Sequence, residues 1–295
     1  MPVINRERLP AWFRRPTPLT ALQATESILR AGQLHTVCES ALCPNRTECF
    51  ARRTATFMIL GNICTRSCGF CAIPNGTPER VRPEEPAEVA RAAGELGLKY
   101  VVVTSVTRDD LPDEGAGQFA ETVRAVRQRI PEGRIEVLTP DFHGRDDLIR
   151  TVVDAGPDVF NHNLETVERL QGEVRSGADF GRSLRVLATV KAIAPRMKTK
   201  SGMMVGLGES ESEILDAAIH LKKVGCDILT IGQYLSPGRG HLPVAEYKTP
   251  QFFRELAEKI RSFGFDYVFA GPWVRSSYHA GEVFSLAHSE GTFLS

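Results

Sequence analysis

The chain has 295 residues, 42% of them hydrophobic, and its 36 Lys plus Arg balance 36 Asp plus Glu. That length supports one large α/β domain or two small ones, and the balanced charge excludes the global basic field of a nucleic-acid or membrane-surface binder. No stretch approaches the ~18 consecutive apolar residues of a membrane span and the start lacks a signal-peptide core, so the expected location is the cytoplasm.

Residues 1–53 hold eight Arg and four Glu, with "RERLPAWFRR" near the start. Trp12 and Phe13, beside Arg14 and Arg15, read either as a docking face for an acidic protein partner or as side chains packed on the domain behind them. The chain has seven cysteines, an odd number, and without a secretory signal disulfides are a poor default. Six of them fall in two sets: Cys38, Cys43 and Cys49 as C-x4-C-x5-C, then Cys64, Cys68 and Cys71 as C-x3-C-x2-C. Cys226 stands alone and reads as a small buried apolar group.

From residue 55 onward short β-branched runs alternate with amphipathic stretches. The expected strands are "TATFMIL", "YVVVTSV", "RIEVLTP", "PDVFNHN", "KTKSGMMVGL", "DILTIGQYL" and a short seventh, "DYVFAGP". The intervening helical patterns include "PAEVARAAGELG", "GQFAETVRAVRQRI" and "SESEILDAAIHLKKVG", and several end at glycine (97, 156, 225, 264), the residue that tolerates a left-handed C-cap. Strand and helix repeated about six times predict a parallel sheet with crossover helices. Polar residues follow strand after strand: Cys64–Cys71, Thr104–Asp110, Asp141–His143, Asn161–Glu165, Gly206–Glu209 and Gln233–Tyr234. Such ends converge at one mouth of a barrel, so an incomplete barrel is favoured over a doubly wound sheet. "GLGES" reads as a helix start capped by Ser210 rather than a phosphate loop, and His220 as a surface or core residue on a helix.

Structural zinc wants four ligands, usually in paired C-x2-C knuckles, and here the spacing is x3 then x2 with no histidine nearby. A four-iron cubane normally takes four thiolates. Three protein ligands at a strand end leave one iron open to a small molecule, with Gly69 permitting a tight bend and Phe70 shielding the metal.

The C-x3-C-x2-C loop after the first strand resembles that of the radical S-adenosylmethionine superfamily. The upstream triad in "CESALCPNRTEC", with "ATFMILGNICTRSCGFCAI", "VVVTSVTRDDLPD", "FNHNLETV", "KSGMMVGLGE", "GQYLSP" and "GPWVRSSYHA", is similar to the lipoyl synthase family along nearly the whole chain. One departure is visible: the family commonly has two glycines after "LPD", and Glu114 occupies the first of these positions.

The resemblance implies an α/β fold, a partial TIM-type (β/α)6 barrel over 55–270. An N-terminal helical and loop extension over 1–54 would carry the auxiliary cysteines, and a C-terminal segment over 271–295 would close over them. It implies insertion of two sulfur atoms at carbons 6 and 8 of an octanoyl group held on a lysine of a lipoyl carrier domain. Two 4Fe-4S clusters and S-adenosylmethionine are the implied cofactors. Cys64, Cys68 and Cys71 would hold the radical-forming cluster, and Cys38, Cys43, Cys49 and Ser277 the auxiliary one, with Ser276 the fallback ligand. For S-adenosylmethionine the candidates are Thr104 and Ser105 at its amino group, Asn163 and Glu165 at its ribose or carboxylate, and Arg108 or Lys200 for charge. Gly206 and Gly208 would let backbone approach the adenine.

Implied partners are the acyltransferase subunit of 2-oxoacid dehydrogenases, the glycine cleavage H protein, a ferredoxin or flavodoxin donor, and a cluster-repair carrier. Neither nucleic acid nor membrane is among them, and a monomer is expected. Two rivals remain: another sulfur-inserting radical enzyme of the biotin synthase kind, and a non-catalytic zinc-stabilised binding module.

Overall fold

The structure is a computed structural model and describes residues 10–13, 22–52 and 54–288. Arg14 and Arg15 lie outside the described residues. One sheet holds eight strands in chain order: β1 (His35–Thr36), β2 (Thr56–Ile59), β3 (Tyr100–Ser105), β4 (Arg134–Leu138), β5 (Val159–Asn161), β6 (Lys198–Val205), β7 (Ile228–Gln233) and β8 (Tyr267–Gly271). From β2 to β8 every neighbour is parallel. β1 runs antiparallel on β2, pairing His35 with Met58. Among the described residues no strand joins β8 to β1, so the barrel stays open. All seven expected strands are present. β1, at two residues, is too short to leave a periodic signal, and it ties the first extension directly to the sheet.

Alternation sends one face of each strand outward. Phe57, Ile59, Val101, Val103, Ile135 and Val137 pack under Val89, Phe119, Val123, Val126, Ile149 and Val152 of the covering helices. Met203, Val205, Leu229 and Ile231 do the same against Ile214, Leu221, Leu256 and Ile260. Gly97, Gly156, Gly225 and Gly264 hold φ between 69° and 86°, so each helix there ends where a Cβ would be penalised. No helix of the described residues is long and apolar enough to cross a membrane.

The inward face is polar. Lys200 Nζ lies 3.0 Å from both carboxylate oxygens of Glu136, Asn161 Nδ2 donates to Glu136 Oε1 at 2.9 Å, and the Tyr100 hydroxyl donates to Oε2 at 2.7 Å. Lys200 and Glu136 are 1% and 0% exposed. Lys200 was a candidate to balance charge on S-adenosylmethionine, and the structure gives it Glu136 as its partner. It sits near the start of β6, below the mouth, and its charge is already matched. Burial, then the Glu136 charge, pushes the Tyr100 phenol well above its ordinary pKa.

Removing one partner of a buried pair strands the other charge. Lys200→Met is therefore expected to lower the unfolding free energy by about 3 kcal/mol, and the double variant with Glu136→Leu to recover most of it. Denaturant midpoints of the three proteins check this.

Candidate active site

The loop after β2 carries the second cysteine set and is pinned on several sides. Cys64 N bonds Pro74 O at 2.8 Å, Thr65 N bonds Thr107 O at 3.1 Å, Gly69 N bonds Val174 O at 3.0 Å and Leu242 N bonds Gly69 O at 3.0 Å. His241 Nε2 lies 3.1 Å from Cys71 O. Cys64 Sγ accepts from the N–H groups of Arg66 (3.4 Å) and Thr107 (3.3 Å). Gly69 is not left-handed. It sits in the tight turn expected, closed by Cys71 N on Cys68 O at 3.1 Å, and its missing side chain also admits Leu242 and Glu173 O, which a Cβ would meet at 3.0 and 3.2 Å.

Cys38 and Phe50 belong to the main core, while Cys43 and Cys49 are half-buried. Burial first, then repulsion from neighbouring cysteines, pushes Cys38 and Cys49 up to about 12, and burial raises Cys43. In the second set burial lifts Cys68 to about 11, opposed by Arg175, and Cys71 to about 12, with Cys68 adding to it. Metal-free, these are protonated thiols at neutral pH. A cation would have to supply the charge that burial withholds.

The C-terminal segment reaches the first set from across the barrel. Asn45 Nδ2 donates to Trp273 O at 2.7 Å, the Tyr278 hydroxyl lies 3.1 Å from both Glu48 oxygens, and His279 Nε2 lies 3.2 Å from Glu48 Oε1. Two strand glycines make the path. A Cβ on Gly232 of β7 would overlap Val274 O, and one on Gly202 of β6 would meet Ser276 Oγ and Asn163 Oδ1 at 2.7 Å. Trp273 Nε1 donates to Trp12 O at 3.1 Å, and Phe13 is buried against the Trp273 and Tyr247 rings, so Phe13 packs on the domain while Trp12 is 38% exposed.

The serine pair divides. Ser276 Oγ exchanges hydrogen bonds with Asn163 at 2.7 and 3.0 Å, whereas Ser277 makes none among the described residues. Arg275 faces Cys43 and Glu165; burial lowers its pKa and those two groups oppose the fall. Glu165, left-handed at φ 67°, accepts from Asn163 Nδ2 at 2.8 Å, and burial raises its pKa against Arg175. It also raises Cys68 and Cys71, so one carboxylate and one guanidinium stand between the two thiol sets. The motif "RSSY" marked the serines; nothing in the sequence singled out Arg275 as the cation between the sets.

The remaining candidates are more scattered. Thr104 Oγ1 points inward and donates to Leu138 O at 2.8 Å. Ser105, next along β3, turns toward the helices, and its buried hydroxyl has no hydrogen-bond partner among the described residues. Alternation thus prevents the pair from facing one ligand group. Arg108 is clamped by Asp110 at 2.8 and 2.9 Å, with Leu60 O at 3.3 Å. Gly206 and Leu207 donate their N–H groups to Glu209, and a Cβ on Gly206 would overlap Gln233 and Glu246 O. Ser210 forms a capping box with Glu213, as a helix start requires, and Cys226 is fully buried. His220 is exposed on its helix.

The donor chemistry fits iron–sulfur. Thiolates around one zinc stand about 3.8 Å apart, as tetrahedral bonds of ~2.3 Å dictate. Among the described residues neither cysteine set brings its three sulfurs within 4.8 Å of one another. Soft ligands held wider than one ion needs suit a cluster whose irons each take one thiolate.

A family model of the radical SAM superfamily matches residues 58–221. Fold and thiol loop thus define a radical S-adenosylmethionine enzyme, a class whose members hold a 4Fe-4S cluster. The chain is 52% identical to lipoyl synthase 2 of Thermosynechococcus vestitus, covering 93% of this chain and 97% of that one. It is 53% identical to lipoyl synthase of Caldanaerobacter subterraneus subsp. tengcongensis, covering 95% and 98%. The chain belongs to the lipoyl synthase family, enzymes that insert sulfur into an octanoyl chain carried by a protein. In fold it is similar to methylornithine synthase (TM-score 0.53, 15% identity, 84% of this chain and 77% of that one). It is also similar to Streptococcus suis SuiB bound to S-adenosylmethionine (TM-score 0.57, 14% identity, 85% and 58%).

Gly232→Ala is expected to push the 274–277 segment off the first thiol set. In the metal-free chain, alkylation of Cys43 should quicken by about threefold or more while Cys226 stays inert; mass mapping of the labelled thiols reads it.

His162 gives a pH signature. Burial, then Arg175, pushes it down to about 4, and its ring nitrogens contact Thr139 O and Ser183 Oγ at 2.9 and 3.1 Å. Below its ordinary 6.5 the unfolded chain binds a proton that the fold refuses, so stability rises with pH between about 4 and 6.5. Asp141 acts only at lower pH: burial works to raise it, but Arg66 and Arg182 hold it well below the usual carboxylate range. Moving from pH 6.5 to 5 should cost about 2 kcal/mol in the metal-free protein, and His162→Asn should remove that slope.

Proposed function

We propose that Cys38, Cys43, Cys49 and Ser277 hold a second 4Fe-4S cluster, and that its sulfide is what the enzyme inserts at carbons 6 and 8 of an octanoyl-lysine. The observation that supports this is the docking of Trp273 on Asn45 and of Tyr278 on Glu48, by a segment that carries Ser277, whose hydroxyl has no hydrogen-bond partner among the described residues. Bound at Cys64, Cys68 and Cys71, the radical-site cluster would supply the electron that splits S-adenosylmethionine into a hydrogen-abstracting radical, one molecule per sulfur.

Such chemistry is required because carbons 6 and 8 carry no acidic hydrogen, and no side-chain base removes one at neutral pH. The chain's own contribution is placement and exclusion of water. Ser277 offers a hard oxygen among three soft thiolates, a weaker corner that exchanges more readily. Arg275 offsets the charge gathered at Cys43 and Glu165. Asn163 ties β5 to the C-terminal segment through Ser276, fixing the distance between the two thiol sets. Lipoyl domains of the 2-oxoacid dehydrogenase acyltransferase and the glycine cleavage H protein would present the substrate, and a ferredoxin or flavodoxin the electrons. A biotin synthase-like reading leaves the upstream triad without a task.

Anaerobically reconstituted protein should be brown and hold about eight irons per chain, against zinc and no colour for a binding module. Cys64→Ala should abolish deoxyadenosine formation, whereas Cys43→Ala should keep it and stop sulfur transfer. Loss of both activities in Cys43→Ala with the fold intact would overturn the division of labour. Ser277→Ala should impair sulfur transfer more than Ser276→Ala. Iron and sulfide counted before and after one turnover should fall by a cluster's share.

A further inference from the structure

Away from the cysteines, one more group of ligand atoms converges among the described residues: Asp109, Glu114 and His143, all within 4.8 Å of one another. They come from three places along the chain. Asp109 lies in the turn after β3, Glu114 just before the helix Ala116–Arg129, and His143 in the turn after β4. His143 Nδ1 is 3.0 Å from Glu114 Oε2 and 3.7 Å from Asp109 Oδ1.

Glu114 sets this group apart from ordinary surface acids. Its side chain is 8% exposed, and Oε2, aimed at the imidazole, has no hydrogen-bond partner. Among the described residues no hydrogen bond reaches that oxygen, from Nδ1 at 3.0 Å or from any other donor. A buried carboxylate oxygen in that position calls for a cation. Two ligands at right angles on one ion, each with a bond of ~2.1 Å, stand about 3.0 Å apart.

We propose that Asp109, Glu114 and His143 bind one divalent first-row transition-metal cation, of the Mn²⁺ or Zn²⁺ kind, distinct from the iron–sulfur sites. One imidazole and two carboxylates select such an ion over Mg²⁺ and Ca²⁺, which prefer oxygen alone. Arg66 engages both Asp109 oxygens, at 2.8 and 2.9 Å, and Oδ1, the one that faces His143, keeps a second lone pair. With the ion on Nδ1 the ring proton sits on Nε2, so the 3.4 Å approach of Arg66 to Nε2 opens while Asp141 still holds the guanidinium at 2.9 Å. Thr65 Oγ1 also donates to Asp109, at 3.0 Å, so the ion would brace the thiol loop through the segment next to Cys64.

The test uses reconstituted, oxygen-protected protein whose thiols already hold iron, titrated with Mn²⁺ while the six-line signal of the free ion is followed by electron paramagnetic resonance. One Mn²⁺ per chain should leave the free signal, resist about a tenfold excess of Mg²⁺ and be displaced by Zn²⁺. Glu114→Gly suits the backbone, whose φ is 49°, and His143→Gln keeps the volume. Each should weaken binding about tenfold or more with iron content unchanged. An undiminished free signal with the wild-type protein, displacement by Mg²⁺, or unaltered affinity in both variants would overturn the assignment.

Discussion

The C-terminal segment crosses the barrel to the first thiol set only because β6 and β7 lack side chains where it passes. At Gly232 even a methyl group would collide with the Val274 carbonyl, and at Gly202 it would take the space of Ser276 and Asn163. Backbone carbonyls do not yield as flexible side chains do, so this clearance is a fixed property of the sheet. With it, Asn45 reaches Trp273, Glu48 receives Tyr278 and His279, and Ser277 is carried across in the same segment. Without it the serine has no route there.

Charge placement follows from the same crossing. Burial makes Cys38, Cys43, Cys49, Cys68 and Cys71 resist ionisation, and neighbouring cysteines raise Cys38, Cys49, Cys68 and Cys71 further. Arg275 comes in with the crossing segment, and Arg175 from the turn after β5 opposes the rise at Cys68. Glu165 lies between them. Cationic side chains are thus distributed to both thiol sets, while the Glu136–Lys200 pair keeps its charges to itself deeper in the barrel.

Much of this was legible in the chain. Period-two and 3.6-residue patterns marked all seven parallel strands and the helices between them, because those faces are buried and must be apolar. The cysteine spacings identified the thiol loops, since ligation needs particular residues at particular offsets. What stayed hidden depends on contacts across long separations. Lys200 looked available because Glu136, 64 positions away, gives no sign of being its partner. Ser105 looked like a pocket residue until strand register turned it outward. Gly69 suggested the bend that it makes, but not the clearance it leaves for Leu242. β1 is invisible at two residues, and only a fold brings Arg275 against Cys43.

The hydrogen bond from Asn45 to Trp273 spans 228 positions. During ribosomal synthesis at ~5–20 residues per second, the first triad therefore emerges roughly 10–45 s before the segment that covers it. Throughout that interval Cys38, Cys43 and Cys49 lack their cover, open to oxidants and to stray soft metals. A cell making this protein in air must either shield the nascent thiols or restore them afterwards.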